Sequence, residues 1–114
     1  VQMVQDGGSL PRWPMAYGYT GGMVGSPSAI TLADIALADI DGWDERVAFD
    51  AAFAAATGPV PDASRDGIQH YAAHGFVASD QTGASASKTL EYAWADCALA
   101  AWAEARGWPE AEQL

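Results

Sequence analysis

The sequence predicts an all-α protein built from helical hairpins. Three observations carry that expectation. Four segments place apolar residues at helical spacing, caps and breakers mark their ends, and no run alternates long enough for a strand. No internal repeat at a fixed period is present. The reading divides the chain into an irregular loop segment, residues 1–26, and a helical segment, residues 27–114, forming one partial domain.

The irregular segment ends in Leu10–Pro27, LPRWPMAYGYTGGMVGSP, which crowds large aromatics, prolines and glycines together without a period. Composition leaves it open between linker and site. The first helix spans about Pro27–Ile40, with Ser26 as N-cap, Pro27 at the first helical position and Asp41-Gly42 as its stop. Ile30, Ala33, Leu37 and Ile40 fall on one stripe. The second helix starts at an Asp44 cap and runs to about Ala56, where Thr57-Gly58-Pro59 stops it. After the loop GPVPDASRDG, a short third helix covers about Asp66–His74, closed by Gly75.

The fourth helix is the longest, about Ser87–Arg106, with Gly107 and Pro109 at its end. Leu90, Trp94, Cys97, Ala98, Ala101 and Ala105 share one side, and Tyr92, Leu99 and Ala103 form a strip opposite. A helix apolar on two sides is packed on two sides, as in the inner layer of a helical barrel or a large bundle.

Charge narrows the function classes. Only 5 Lys and Arg stand against 15 Asp and Glu, giving a net charge of −10, so nothing could neutralise a nucleic-acid backbone or dock an anionic membrane. No apolar run approaches the roughly 20 residues needed to span a bilayer. The single Cys97 excludes an internal disulfide. A first residue other than Met fits a processed product or an excerpt of a longer protein.

Few residues point to chemistry. Asp34 borders the first helix's apolar stripe, so it reads either as a structural carboxylate bonded to a helix end or as a ligand contact. Lys88 and Glu91, in the first turn of the fourth helix, read as solvated charges or as part of a site. Trp43, Trp94, Trp102 and Trp108 read as core, whereas Trp13 sits in a Pro-bounded loop where it could stack on a sugar ring. His70 and His74 share a helix face at a spacing that can bind zinc, but no third ligand or glutamate base accompanies them. Gly18, Gly21, Gly22 and Gly25 spell no phosphate loop, lacking its lysine and a preceding strand. No Ser/His/Asp order is compelling.

Four blocks, taken together, resemble glycoside hydrolase family 92: RWPMAYGYTGGMVGSPSAITLADIALADI, WD opening a helix, RDGIQHYAAHGFVASD and SASKTLEYAWADCALAAWAEARG. They extend from about Pro11 to Gly107. The resemblance implies a segment of the (α/α)₆ barrel of a calcium-dependent exo-α-mannosidase, an inverting hydrolase that removes terminal mannose from glycans. It implies a β-sandwich upstream, catalytic acid and base downstream, and a secreted or periplasmic parent. Calcium ligands would lie mostly outside this segment, so no catalytic or metal residue is assigned here. Asp34 and Lys88 are carried over as contacts to the terminal mannose, and Trp13 as a residue lining the entrance. Expected partners are mannose-containing glycans and the rest of the parent polypeptide. The competing reading is a free-standing acidic helical domain acting as an interaction or scaffold module.

Overall fold

The structure is a computed structural model that describes residues 1–15, 18–20, 22–58 and 65–114. It is all-α, as the sequence predicts, and compatible with part of a helical barrel. Helix α1 (Gln2–Gly7) comes first, then a minute antiparallel ladder of β1 (Pro14–Met15) and β2 (Gly18–Tyr19). The ladder pairs Pro14 with Tyr19 and Met15 with Gly18. Residues 1–26 are therefore not wholly irregular. Two-residue strands are too short to leave a period-2 pattern in the sequence. Helices α2 (Pro27–Leu37), α3 (Glu45–Thr57), α4 (Ile68–His74) and α5 (Ser85–Arg106) follow, and a 3₁₀ turn over Pro109–Gln113 closes the chain. Most of the loop after Gly58, and residues Ala16, Tyr17 and Gly21 of the glycine-rich stretch, lie outside the described residues.

Local chemistry explains most boundaries. At α3 the Asp44 carboxylate accepts from the Val47 N–H at 3.1 Å, the side-chain cap its position predicts. Ser26 occupies the N-cap of α2 but makes no side-chain cap bond. At the start of α5, two residues before the predicted Ser87, the capping position belongs to Ala84. Helix α2 ends at Leu37, three residues short of the predicted Ile40, because the chain turns there. Asp39 enters the left-handed region at φ 53°, which Asp tolerates better than most residues. The Arg106 guanidinium donates to the Ala36 carbonyl at 2.6 Å, satisfying one of the acceptors a helix end leaves open.

Helices α2 and α5 lie side by side and run in the same direction. Gly25, just before α2, meets Glu91 early in α5, and Ala36 near the end of α2 meets Arg106 at the end of α5. Helix α3 begins at that same far end, where Glu45 accepts from both the Trp102 indole N–H (2.6 Å) and Arg106 Nε (2.7 Å).

The core takes part of the predicted apolar faces and leaves the rest outside. On α2 the buried side is Ala29, Ala33 and Ala36, while Leu37 and Ile40 are 46% and 58% exposed. On α5 the strip of Tyr92, Leu99 and Ala103, joined by Ala95 and Trp102, is buried. The Leu90 side faces out, with Leu90 73% and Trp94 60% exposed. The small Ala side chains let α2 and α5 approach closely, and the bulk needed to fill the interior comes from aromatics instead. Trp102 is their hub, edge-on to Phe49 at 5.1 Å and near Trp43 and Trp108. Arg46 covers this cluster, 4.7 Å from the Trp108 ring centroid, while paired with Asp50 and Glu110.

Candidate functional site

Polar side chains converge at the N-terminal end of α5. Lys88 points inward there and is 7% exposed, a burial rare for lysine unless its charge is paired. Its Nζ donates to Asp66 Oδ2 at 2.8 Å and to Thr82 Oγ1 at 2.6 Å. Among the described residues, two of the three ammonium donors are thus engaged. The Asp66 carboxyl is held below the usual carboxylate range, first by its hydrogen bond from Lys88 and further by the charges of Lys88 and Arg12. Asp66 therefore stays ionised at neutral pH with half its side chain open to solvent.

The surrounding groups fix this arrangement. Asp66 is held at the backbone, its carbonyl accepting from the Tyr92 hydroxyl at 3.1 Å. The adjacent Arg65 is buried, lies 5.1 Å over the Tyr92 ring and is paired with Asp96. Tyr71 meets Tyr92 edge-on and is pushed up to about 12, by burial first and by Asp96 second, so it keeps its proton. At the residue after Lys88, the Val77 N–H donates to Thr89 Oγ1 at 2.9 Å, anchoring the segment after α4.

The N-terminal segment reaches the same end. Arg12 is buried and close enough to Asp66 to act on its charge, and Trp13 is its neighbour in sequence. The Trp13 ring is half-buried, with its indole N–H enclosed and meeting no acceptor among the described residues. Its carbonyl accepts from the Thr20 N–H and hydroxyl, bracing the loop. Gly25 packs flat on Glu91: a Cβ there would stand 2.5 Å from Glu91 Oε2, and its φ of +91° suits glycine alone. The Gly-rich and SKTLE blocks thus meet directly.

The predicted site residues separate under this geometry. Lys88 is no solvated surface charge, and Arg12 carries Trp13's loop toward it. Asp34 is exposed and needs no donors from a core. Asp34 stands nine positions after Gly25, and Lys88 lies beyond Glu91 in the other direction. At about 1.5 Å per residue, Asp34 and Lys88 stand roughly 20 Å apart along the helix pair, too far to serve one sugar ring. Asp66 and Thr82 are the residues that sequence reasoning missed. Asp66 reads as the start of a helix, yet α4 begins two residues later behind a left-handed Gly67, and the Asp66 side chain turns to a lysine 22 positions away. The buried lysine was the signal that could have asked for an acid.

Among the described residues, no group of three or more His, Cys, Asp or Glu could hold a metal ion. The described residues alone do not make a calcium site. No curated protein and no solved structure matches the chain. The model of the glycosyl hydrolase family 92 catalytic domain matches residues 1–114, all of the sequence. On that match the chain belongs to glycosyl hydrolase family 92, as part of its catalytic domain.

Proposed function

We propose that this chain belongs to an inverting, calcium-dependent exo-α-mannosidase, secreted or periplasmic, and contributes barrel wall and part of the sugar pocket. The observation that carries the sugar contact is the buried Lys88 ammonium inside the SKTLEYA block, oriented by Asp66 and Thr82. An ammonium with an N–H to spare among the described residues can donate to one sugar hydroxyl, and the half-exposed ionised carboxylate beside it can accept from the neighbouring hydroxyl. In this reading Asp66 takes the role first given to Asp34, and Trp13 borders the entrance. The acid and base that protonate the leaving oxygen and activate water belong to other parts of the catalytic domain, as do the calcium ligands.

The test is made on the natural protein containing these residues. It should hydrolyse an aryl α-mannoside, lose activity in a chelator and regain it with calcium, and release β-mannose as first product by NMR. Lys88→Met removes a hydrogen bond from a charged donor, about 1.5–3 kcal/mol, or roughly 10- to 150-fold in kcat/KM. Preference for another glycoside, or unaltered turnover by the folded Lys88→Met protein, would sink the reading.

A further inference from the structure

The chain contains no asparagine, but it carries the dipeptide Asp-Gly three times, at Asp6-Gly7, Asp41-Gly42 and Asp66-Gly67. In that dipeptide the glycine amide nitrogen can attack the preceding side-chain carboxyl carbon. A C–N bond forms, the carboxyl hydroxyl leaves with the amide proton as water, and a succinimide ring results. Water then opens the ring at either carbonyl. One opening restores aspartate, and the other leaves isoaspartate, with the main chain running through the side-chain carboxyl. The sum is an isomerisation that consumes nothing. Glycine permits it because no Cβ shields the attacking nitrogen. The fold decides which of the three is free to react.

Two of them are held. Gly7 lies inside α1, where a helical N–H is committed to the carbonyl four residues back, and Asp6 Oδ1 accepts from Gln2 Nε2 at 2.9 Å. Asp66 is tied twice, its Oδ2 to Lys88 Nζ at 2.8 Å and its carbonyl to the Tyr92 hydroxyl at 3.1 Å. Its carboxyl is held below the usual range, chiefly by the Lys88 hydrogen bond, so little of it carries the proton needed to release water. Gly67 is closed in as well, since a Cβ there would stand 2.8 Å from Val77 Cγ1.

Asp41-Gly42 has none of these restraints. Both residues are exposed and lie outside the helices, between α2 and α3. Among the described residues no hydrogen bond or ion pair engages the Asp41 carboxyl or the Gly42 N–H. Gly42 takes φ +88°, a conformation only glycine adopts freely, and the space a Cβ would enter is open. The Trp43 indole N–H donates to the Ile40 carbonyl at 2.7 Å, which keeps the chain bent across the two residues.

We propose that Asp41-Gly42 is a site of spontaneous isoaspartate formation in the folded protein, and that the Lys88 bond spares Asp66 the same reaction. The product adds one methylene to the main chain between Ile40 and Gly42. That lengthening falls within the Ile40–Trp43 bend and just before the Asp44 cap of α3.

The natural protein containing these residues is aged at neutral pH in water enriched in oxygen-18, digested in ordinary water and read by mass spectrometry. Each passage through the succinimide leaves one heavy oxygen at that aspartate, and the isoaspartyl peptide elutes apart from its aspartyl twin. Label at Asp41 should exceed label at Asp66 by at least about 5-fold, the effect of a hydrogen bond to a charged donor discounted for a half-exposed carboxyl. Lys88→Met should raise the label at Asp66 and leave Asp41 unchanged. In urea the two sites should converge, because only the fold separates them. No isoaspartate at residue 41, Asp66 labelled as fast as Asp41 in the folded protein, no gain at Asp66 in folded Lys88→Met, or a difference that survives unfolding would each overturn the proposal.

Discussion

Lys88 and Asp66 form an ion pair whose two halves are unequally buried, and the inequality predicts unequal mutants. Lys88 is 7% exposed, whereas the Asp66 side chain is 53% exposed. Asp66→Ala strands an ammonium in the interior. Breaking a fully buried pair costs about 3–5 kcal/mol, and water entering the vacated Asp66 position lowers this to roughly 2–4 kcal/mol. Lys88→Met leaves a carboxylate that solvent already reaches. It loses two hydrogen bonds of about 1 kcal/mol each, the Asp66 bond discounted for screening, and no longer desolvates a cation. The net is about 0–1.5 kcal/mol. Urea unfolding of the chain at pH 7, followed by tryptophan fluorescence with Trp102 as the buried reporter, should rank Asp66→Ala as the more damaging. The double variant should resemble Lys88→Met alone. The pH dependence follows from the depressed Asp66 value. Its contribution is present above the unfolded carboxyl range, near 3.9, and is lost as pH falls through the lower folded value. Lys88→Met destabilising as much as Asp66→Ala, or an Asp66→Ala penalty against the unsubstituted chain that does not shrink as pH falls through the lowered Asp66 value, would refute the argument.

Three further substitutions probe the scaffold. Gly25→Ala should destabilise by about 2–3 kcal/mol in thermal unfolding, and adding Glu91→Ala should recover only the steric part, since the positive φ remains. Glu45→Ala strips the acceptor from a buried indole N–H and from Arg106 and should cost about 2–3 kcal/mol. Glu45→Gln, which keeps an acceptor for the indole, should cost clearly less by the same melt. Phe49→Ala leaves a cavity amid Trp102, Trp108 and Phe53 and should cost about 3–5 kcal/mol in chemical denaturation.

Helix positions were legible because their punctuation is local. Asp44 caps, Gly75 and Gly107 turn left-handed, and each acts within a few residues of its own position. Helix faces were legible in part: the Tyr92, Leu99 and Ala103 strip of α5 and Ala33 of α2 are buried as read, whereas Leu37, Leu90 and Trp94, taken for core by their bulk, stay outside. The family's blocks led to Lys88, but its partner Asp66 comes from a turn far away in sequence, and such a pairing leaves no periodic trace. Asp34 borders the buried Ala33 but is itself exposed, so the expectation of a carboxylate in need of core donors does not hold.

The alanine seam of α2 has a bearing on how this chain can vary. Ala29, Ala33 and Ala36 are 3%, 1% and 0% exposed, so a substituent larger than methyl has nowhere to go but between the helices. A leucine or phenylalanine in the interior can be exchanged for a neighbour of similar volume, but a methyl group has no smaller apolar equivalent except glycine's hydrogen, which loosens the helix. The seam therefore works as a gauge. It holds α2 and α5 at one separation, and with it the distance from the Gly25–Glu91 contact to the Arg106 corner. Sequence drift along the outward faces leaves that dimension untouched, whereas one added methyl at Ala33 would shift both ends together.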